Sequence, residues 1–463
     1  MTIASTNPAT GETVARFDPL SDEAIERKLA EAEKAFHRWR REPAASRAAS
    51  LRRAADVFTR RREELARLAT LEMGKLYTAS LAEVDKCATC LRWYADEHQR
   101  LLAPEEVATE ARRSYVRFDP LGAVLAVMPW NFPYWQVVRF AAPALLAGNV
   151  GLLKHASCVP QVALALEAVF KEAGVIEGGF QTLLVESKRV AALVADARVQ
   201  AATLTGSEGA GRSLAAECGK NLKKVVLELG GSDPFIVLPS ADVEKAAEVA
   251  VAARVQNNGQ SCIAAKRFIV HEAVADQFES AMTRRMAALR VGDPMDPQTE
   301  LGPMASEQGV KDLDEIVQRS LKLGAELRTG GKRVGERGFY YAATVLARIP
   351  PGSPAADEET FGPVASLFRV KSADEAVRAA NSTRFGLGAS AWTHDEKEQA
   401  ALAEQIEAGA VFFNSMVKSD PRMPFGGVKA SGHGRELSHY GMREFMNIKS
   451  VWIAKESKAE AVE

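Results

Sequence analysis

Asn257-Asn258-Gly259-Gln260-Ser261-Cys262 puts one cysteine on a tight connection loosened by a glycine. The residues before it, 242–255, are rich in alanine and valine. Val243, Ala247, Ala250 and Arg254 recur there at helical spacing. The residues after it, Arg267-Phe268-Ile269-Val270, form a short apolar run that predicts a strand. A cysteine in such a helix-to-strand joint is held by rigid elements on both sides and can face a cleft, where loops usually carry chemistry. The plainer reading is a small buried hydrophobe, the usual fate of a free cysteine.

The surroundings favour a nucleophile. A cysteine acting on a carbonyl needs a setting that favours thiolate, a base, and donors for the oxygen that becomes negative. Upstream, Val225-Val226-Leu227-Glu228-Leu229-Gly230-Gly231 carries a glutamate inside an apolar strand that runs into a glycine pair. Burial there raises a carboxyl toward the range of a working base. Pro129-Trp130-Asn131-Phe132-Pro133 holds an asparagine amide between two prolines that restrict its backbone.

The same rhythm extends along the chain. Apolar strands are predicted at 124–128, 150–154, 182–185, 201–205, 235–238 and 411–413, alternating with helices. That pattern is a doubly wound parallel sheet, repeated in a second set after residue 235. Before it, amphipathic helices are predicted over 22–41, 46–71 and 77–99. Cys87 and Cys90 sit three apart on the last of these, where one packed face is favoured over a redox pair. Residues 113–118 alternate like an exposed edge strand, and the tail after Trp452 is read as frayed.

The chain has 463 residues, room for two or three domains, with 47% hydrophobic and 26% charged residues, as in a soluble globular protein. Lys and Arg (59) nearly balance Asp and Glu (60), so the net charge of −1 gives no reason to expect nucleic acid or an anionic membrane as partner. Five scattered cysteines suggest no disulfide framework and a reducing compartment. The first residues show no signal peptide, and no apolar run has membrane-spanning length. A cytoplasmic enzyme is expected.

The three motifs, in this order, resemble the aldehyde dehydrogenase superfamily. The likeness continues through Thr205-Gly206-Ser207, Glu358-Glu359-Thr360-Phe361-Gly362-Pro363 and Pro424-Phe425-Gly426-Gly427-Val428-Lys429, so it spans nearly the whole chain. It implies an α/β fold of two doubly wound domains with a small β bridging unit. The cofactor domain would comprise 1–111 and 123–229, and the catalytic domain 230–430. A bridging and oligomerisation unit would combine 112–122 with 431–463, giving a homodimer or a dimer of dimers.

The resemblance assigns Cys262 as nucleophile, Glu228 as base and Asn131 as oxyanion donor, with no metal. It assigns the nicotinamide cofactor to Met128, Pro129, Trp130, Lys154, Ser157, Thr205, Gly206, Ser207, Gly211, Leu229, Glu359 and Phe361. By spacing alone, Gly206-Ser207-Glu208-Gly209-Ala210-Gly211 is not the dinucleotide fingerprint. Members that prefer NAD usually carry a glutamate three residues after the lysine matched by Lys154. Ser157 stands there, and a hydroxyl can donate to a 2′-phosphate that a carboxylate would repel. NADP is therefore favoured over NAD.

The stretches Leu152-Leu153-Lys154-His155-Ala156, Leu227-Glu228-Leu229-Gly230-Gly231-Ser232-Asp233-Pro234-Phe235-Ile236-Val237-Leu238 and Gly434-Arg435-Glu436-Leu437-Ser438-His439 resemble those of short bacterial succinate-semialdehyde dehydrogenases. That likeness implies Arg139 and Ser419 hold the far carboxylate of the substrate, although an arginine in an apolar stretch equally suits an internal salt bridge. Gln256 replaces a second carboxylate-binding arginine, Ala264 removes a redox cysteine pair, and the leading strands of longer members are expected to be absent. The alternatives are a broad aliphatic or aromatic aldehyde dehydrogenase, a CoA-acylating enzyme, which Glu228 disfavours, and a silent structural protein on the same fold.

Overall fold

The structure, a computed structural model, describes residues 3–455. Its first large sheet has six strands in the spatial order Gly432–His433, Lys224–Glu228, Val199–Thr205, Ala123–Met128, Val150–His155 and Phe180–Thr182. All pairings are parallel except that of Gly432–His433 with Leu227 and Glu228. Side chains alternate between the two faces of these strands. Leu125, Val150 and Leu152 pack with Leu29, Ala32 and Trp39 of the helix Asp22–Trp39. Val124, Ala126 and Leu153 face the other way, toward Phe140, Leu145 and Leu166. Both faces are covered, which is why these strands read as continuous apolar runs.

The second sheet has seven strands, in the order Glu326–Thr329, Thr344–Ala347, Val364–Val370, Arg267–His271, Pro234–Val237, Gly388–Trp392 and Ala410–Phe413. Only Glu326–Thr329 runs antiparallel. The architecture is α/β, with two doubly wound sheets. Met446–Ile453, Arg113–Pro120 and Glu105–Glu106 form a third, antiparallel sheet in which Ile448 faces Phe118.

The chain passes from the first sheet to the second between Glu228 and Pro234. Glu228 therefore sits at the carboxyl end of a parallel strand, as do Thr205 and Met128. Clefts for ligands form at such ends.

Several expectations are corrected. The helix expected over 46–71 is two, Ala44–Arg60 and Arg62–Met73, because Arg61 leaves helical geometry (φ −96°, ψ 19°) where its guanidinium turns to Glu64 and Glu172. The strand expected at 182–185 is Phe180–Thr182. Leading strands are present: Ile3–Asn7 and Glu12–Phe17 pair antiparallel around the turn at Pro8. Part of the segment assigned to the bridging unit, Gly432–His433, belongs to the first sheet. Cys87 and Cys90 are fully buried free thiols on the helix Tyr77–Asp96. Residues 1–2 and 456–463, including most of the tail read as frayed, lie outside the described residues. Among the described residues no helix is long and apolar enough to cross a membrane, and no group of three His, Cys, Asp or Glu could hold a metal ion.

Candidate active site

The helix Val243–Val255 ends just before the cysteine loop, and the backbone then turns left-handed at Asn257 (φ 55°), Asn258 (φ 56°) and Gly259 (φ 78°). Asparagine tolerates that region better than most residues. At Gly259 a side chain is also excluded by space, since a Cβ would stand 2.3 Å from the carbonyl carbon of Gly362. Asn258 Nδ2 donates to the carbonyls of Gly74 (2.8 Å) and Pro303 (2.9 Å). Asn257 Nδ2 donates to Asn131 O (2.7 Å), tying the cysteine loop to the Pro-Trp-Asn turn. Beyond Cys262, Lys266 Nζ donates to Ser261 O (2.9 Å) and Cys262 O (2.6 Å) and pairs with Glu359 (3.1 Å).

Cys262 opens onto a cavity of about 320 Å³. Asn131 lines it, with Pro129 and Trp130 beside it. So do Thr205, Gly206, Ser207 and Leu229, from the carboxyl ends of two strands, and Glu359 and Phe361 from the loop before the strand Val364–Val370. Trp130 and Phe361 meet edge to face at 5.9 Å. Ser207 caps the helix Glu208–Lys220, accepting from the backbone N–H of Ala210. A second cavity of about 340 Å³ is lined by Lys154, Ser157, Ser187 and Glu186, and there Lys154 Nζ donates to Ser187 Oγ (3.3 Å).

Two residues assigned to the cofactor lie outside both cavities. Met128 is buried at its strand end and does not line either cavity. Gly211 lies inside the helix Glu208–Lys220, where a Cβ would come within 2.5 Å of Leu229 Cδ2; it lets the helix close on the strand end.

Asn131 Nδ2 donates to Gln260 O (3.1 Å), and its Oδ1 accepts from Gln136 Nε2 (3.3 Å). An amide nitrogen carries two hydrogens, so a second remains for an oxygen in the cavity. Burial pushes the Cys262 thiol up to about 12, against the pull of Lys266 and Arg139. Glu228 is also buried, and neither carboxyl oxygen has a hydrogen-bond partner among the described residues. Burial holds it well above the usual carboxylate range, with Arg139 opposing and Glu436 reinforcing. Its Oε1 stands 2.6 Å from where a Cβ on Gly426 would lie, so only glycine leaves it room. An orphaned buried carboxyl beside a cleft marks a functional group rather than a structural one. Glu228 itself does not line the cavity, although Leu229 and Gly230 do.

The three substrate assignments stand apart from that cavity. Arg139 is buried and ion-paired with Glu436. It also donates to Gln136 Oε1 (2.8 Å) and Thr205 Oγ1 (3.3 Å) and stacks on Phe425 at 4.5 Å. The internal salt bridge is the arrangement found, because a guanidinium inside apolar packing needs a permanent anion. Gln256 is half-buried at the end of its helix, and Ser419 is buried under Lys86 and Trp135. Lys266, Gln260 and Glu436 were missed. Lys266 was findable, as a lysine amid Ile263-Ala264-Ala265 and Phe268-Ile269-Val270.

A cysteine-lined cleft at the carboxyl ends of a doubly wound sheet defines an α/β enzyme scaffold with a thiol at its centre. The chain matches the aldehyde dehydrogenase family over residues 1–451 and belongs to that family. It is 54% identical to a probable succinate-semialdehyde dehydrogenase (NADP(+)) of Synechocystis sp. over 98% of this chain and 100% of the relative. It is likewise 54% identical to succinate-semialdehyde dehydrogenase (NADP(+)) 1 of Mycobacterium tuberculosis, again over 98% and 100%. The crystal structure of succinic semialdehyde dehydrogenase from Streptococcus pyogenes in complex with NADP+ superposes with a TM-score of 0.96 at 38% identity, covering 98% of this chain and 100% of that one.

Proposed function

We propose that this chain oxidises succinate semialdehyde to succinate with NADP as the favoured acceptor, and NAD as the poorer one. The observation that carries the reading is that Cys262 and Asn131 line one cavity with Glu359 and Phe361. The relatives named for this substrate and cofactor support it.

The two cavities carry groups suited to different parts of a dinucleotide. Thr205, Gly206 and Ser207 bring backbone and a helix N-terminus to one wall, suited to a pyrophosphate. Lys154, Ser157 and Ser187 offer a cation and two hydroxyls to a 2′-phosphate in the second cavity. When bound, the dinucleotide supplies the hydride acceptor.

The thiolate of Cys262 adds to the aldehyde carbon, giving a thiohemiacetal whose oxyanion takes the spare N–H of Asn131 and the backbone N–H of Cys262. Each such donor contributes ~3–4 kcal/mol to the transition state. Loss of hydride from that carbon leaves a thioester on the sulfur. Glu228 then takes a proton from water, and the resulting attack releases the acid and the thiol. Glu228 reaches the thioester by turning its side chain from the Gly426 side toward the cavity that Leu229 and Gly230 line.

The domain division given above, a cytoplasmic location and a homo-oligomer belong to the same reading. The strand Met446–Ile453 ends its sheet and exposes Ile448 and Trp452, an edge suited to a second copy. Initial rates for a panel of aldehydes with each cofactor test the proposal. The highest kcat/KM is expected for succinate semialdehyde with NADP; a strong NAD preference, or better turnover of uncharged aldehydes, would overturn it.

A further inference from the structure

Lys266 is buried just before the strand Arg267–His271, and its ammonium is fully engaged by Ser261 O, Cys262 O and the Glu359 carboxylate. Among the described residues Glu359 is its only ion-pair partner. Both contacts that hold Glu359 use one oxygen: Oε1 accepts from Gly231 N (3.2 Å) and faces Lys266 Nζ (3.1 Å). A ribose diol engages both oxygens of a carboxylate, and Oε1 already serves two donors. Glu359 lines the cavity and Lys266 does not, so a carboxylate that turns to the cavity turns away from the ammonium. A buried ammonium deprived of its anion is costly.

A second carboxyl lies beside it. Pro234 pairs with Arg267 across the two strands, so Asp233 and Lys266, one residue earlier on each, are neighbours in register. Asp233 O accepts from the backbone N–H groups of Lys266 (3.1 Å) and Arg267 (3.3 Å). The Asp233 side chain is buried; Oδ1 accepts from Gly388 N (3.1 Å), whereas Oδ2 has no hydrogen-bond partner among the described residues. A buried oxygen left in that state is uncommon in folded proteins.

The charged groups around Asp233 come from every side. Arg267 is committed to the carbonyls of Ser232, Ala379 and Ala380. Arg254, on the helix Val243–Val255, donates to Gly259 O (2.6 Å) and is within electrostatic reach, as are Glu359 and the Cys262 thiol. Burial pushes the Asp233 carboxyl up to about 7, with Lys266 pulling it down and Glu359 pushing it further up. Departure of the Glu359 charge removes that push and leaves the pull of Lys266 unshared, so the carboxyl ionises.

We propose that Asp233 is the reserve countercharge of Lys266: as Glu359 turns to the nicotinamide ribose, Asp233 releases its proton to solvent and keeps the ammonium paired. It is a positioning residue, acting through Lys266 on the Ser261 and Cys262 carbonyls and so on the loop that carries the thiol. The inference rests on the reading of Glu359 as the ribose-binding carboxylate.

Calorimetric titration of NADP+ in buffers of differing ionisation enthalpy counts the protons released on binding. C262A is the parent, so that the thiol contributes nothing. At pH 7 it should release about half a proton per site more than C262A/D233N, because a carboxyl near 7 is about half protonated before it ionises. The 2′-phosphate contributes alike to both and cancels. In the E359Q background Lys266 lacks the Glu359 anion in both states, so D233N should there leave the release unchanged. Equal release by C262A and C262A/D233N would overturn the role of Asp233, as would a D233N effect that survives in E359Q. Should D233N not fold, C262A/E359Q carries the test alone: its release should fall by the same half proton, and an undiminished release would overturn the role. The ribose reading fails separately, and this inference with it, if C262A/E359Q binds NADP+ as tightly as C262A.

Discussion

Arg139 and Glu436 form an ion pair whose side chains are 2% and 3% exposed, with the guanidinium lying over Phe425. Burial holds Glu436 above the ordinary carboxylate range even with the arginine beside it, and the same pair bears on Glu228 from opposite directions. The pair thus fixes the electrostatic surroundings of the proposed base as well as the packing beneath it.

Breaking this pair from one side leaves a buried charge alone. R139M and E436Q are each expected to lose ~3–5 kcal/mol of stability, whereas R139M/E436L should recover most of it, because well-packed apolar replacements remove both desolvation costs. Urea unfolding of the four proteins checks this. Additive losses in the double variant would show that the two side chains do not depend on each other.

The cysteine carries a pH signature. With its thiol pushed up to about 12, the thiolate fraction in the cofactor-free protein is small at neutral pH and rises as pH rises. Alkylation of Cys262 by iodoacetamide should therefore accelerate about tenfold per pH unit between roughly pH 7 and 10, without a plateau. K266M, which removes the first of the two cations that lower this thiol, should slow alkylation further. C262A identifies the labelled site by mass spectrometry. A plateau near pH 8 would mean the thiol is activated by something other than these neighbours.

The proposed base should act after the redox step. E228Q is expected to release about one equivalent of reduced cofactor per site and then stall, because only thioester hydrolysis needs the carboxylate. C262A should give no burst. Stopped-flow absorbance at 340 nm distinguishes the two, and an E228Q protein silent from the first turnover would remove Glu228 from the hydrolytic role.

Legibility in the sequence followed the range over which each feature is determined. The buried strands Ala123–Met128 and Val150–His155 were readable because both faces are apolar, and the Cys262 joint because helix, turn and strand signals lie within a few residues. The fate of Arg139 was not readable. Its ion-pair partner lies 297 positions later in sequence, at Glu436, so only the closed fold brings the two together. The break at Arg61 escaped because no proline or glycine marks it; the cause is a pair of carboxylates, one on the distant helix Pro160–Glu172. The strands at Ile3–Asn7 and Glu12–Phe17 were hidden by the turn residues between them.

Asn131 depends on a second buried pair. Glu83 accepts from the backbone N–H groups of Tyr134 and Trp135, both at 2.9 Å, while its other oxygen pairs with Lys75, whose ammonium lies 4.0 Å from the centre of the Phe132 ring. The carboxylate thereby pins the start of the helix Trp135–Ala147. E83A should cost ~3–5 kcal/mol and lower kcat for every aldehyde, because Lys75 is left alone and the turn bearing Asn131 loosens. Hydrogen exchange over residues 129–140 should rise. Unchanged exchange there, with a lower melting temperature, would confine the pair to stability.

The cofactor preference rests on a position where a single carboxylate should reverse it. Ser157 lines the cavity that also contains Lys154 and Ser187. In S157E the new side chain would bring negative charge toward a 2′-phosphate and would also compete for the Lys154 ammonium, removing attraction and adding repulsion together. The same carboxylate can accept from both ribose hydroxyls of NAD. The expected result is a fall of about 30-fold or more in kcat/KM for NADP, with NAD held or improved, while KM for the aldehyde stays near its wild-type value. S157A separates the contributions, since it removes the hydroxyl without adding charge and should weaken NADP only by a few-fold, about 1 kcal/mol. Initial rates over both cofactors decide the matter. An S157E enzyme that still favours NADP as wild type does would place the 2′-phosphate elsewhere and take Lys154 out of its recognition.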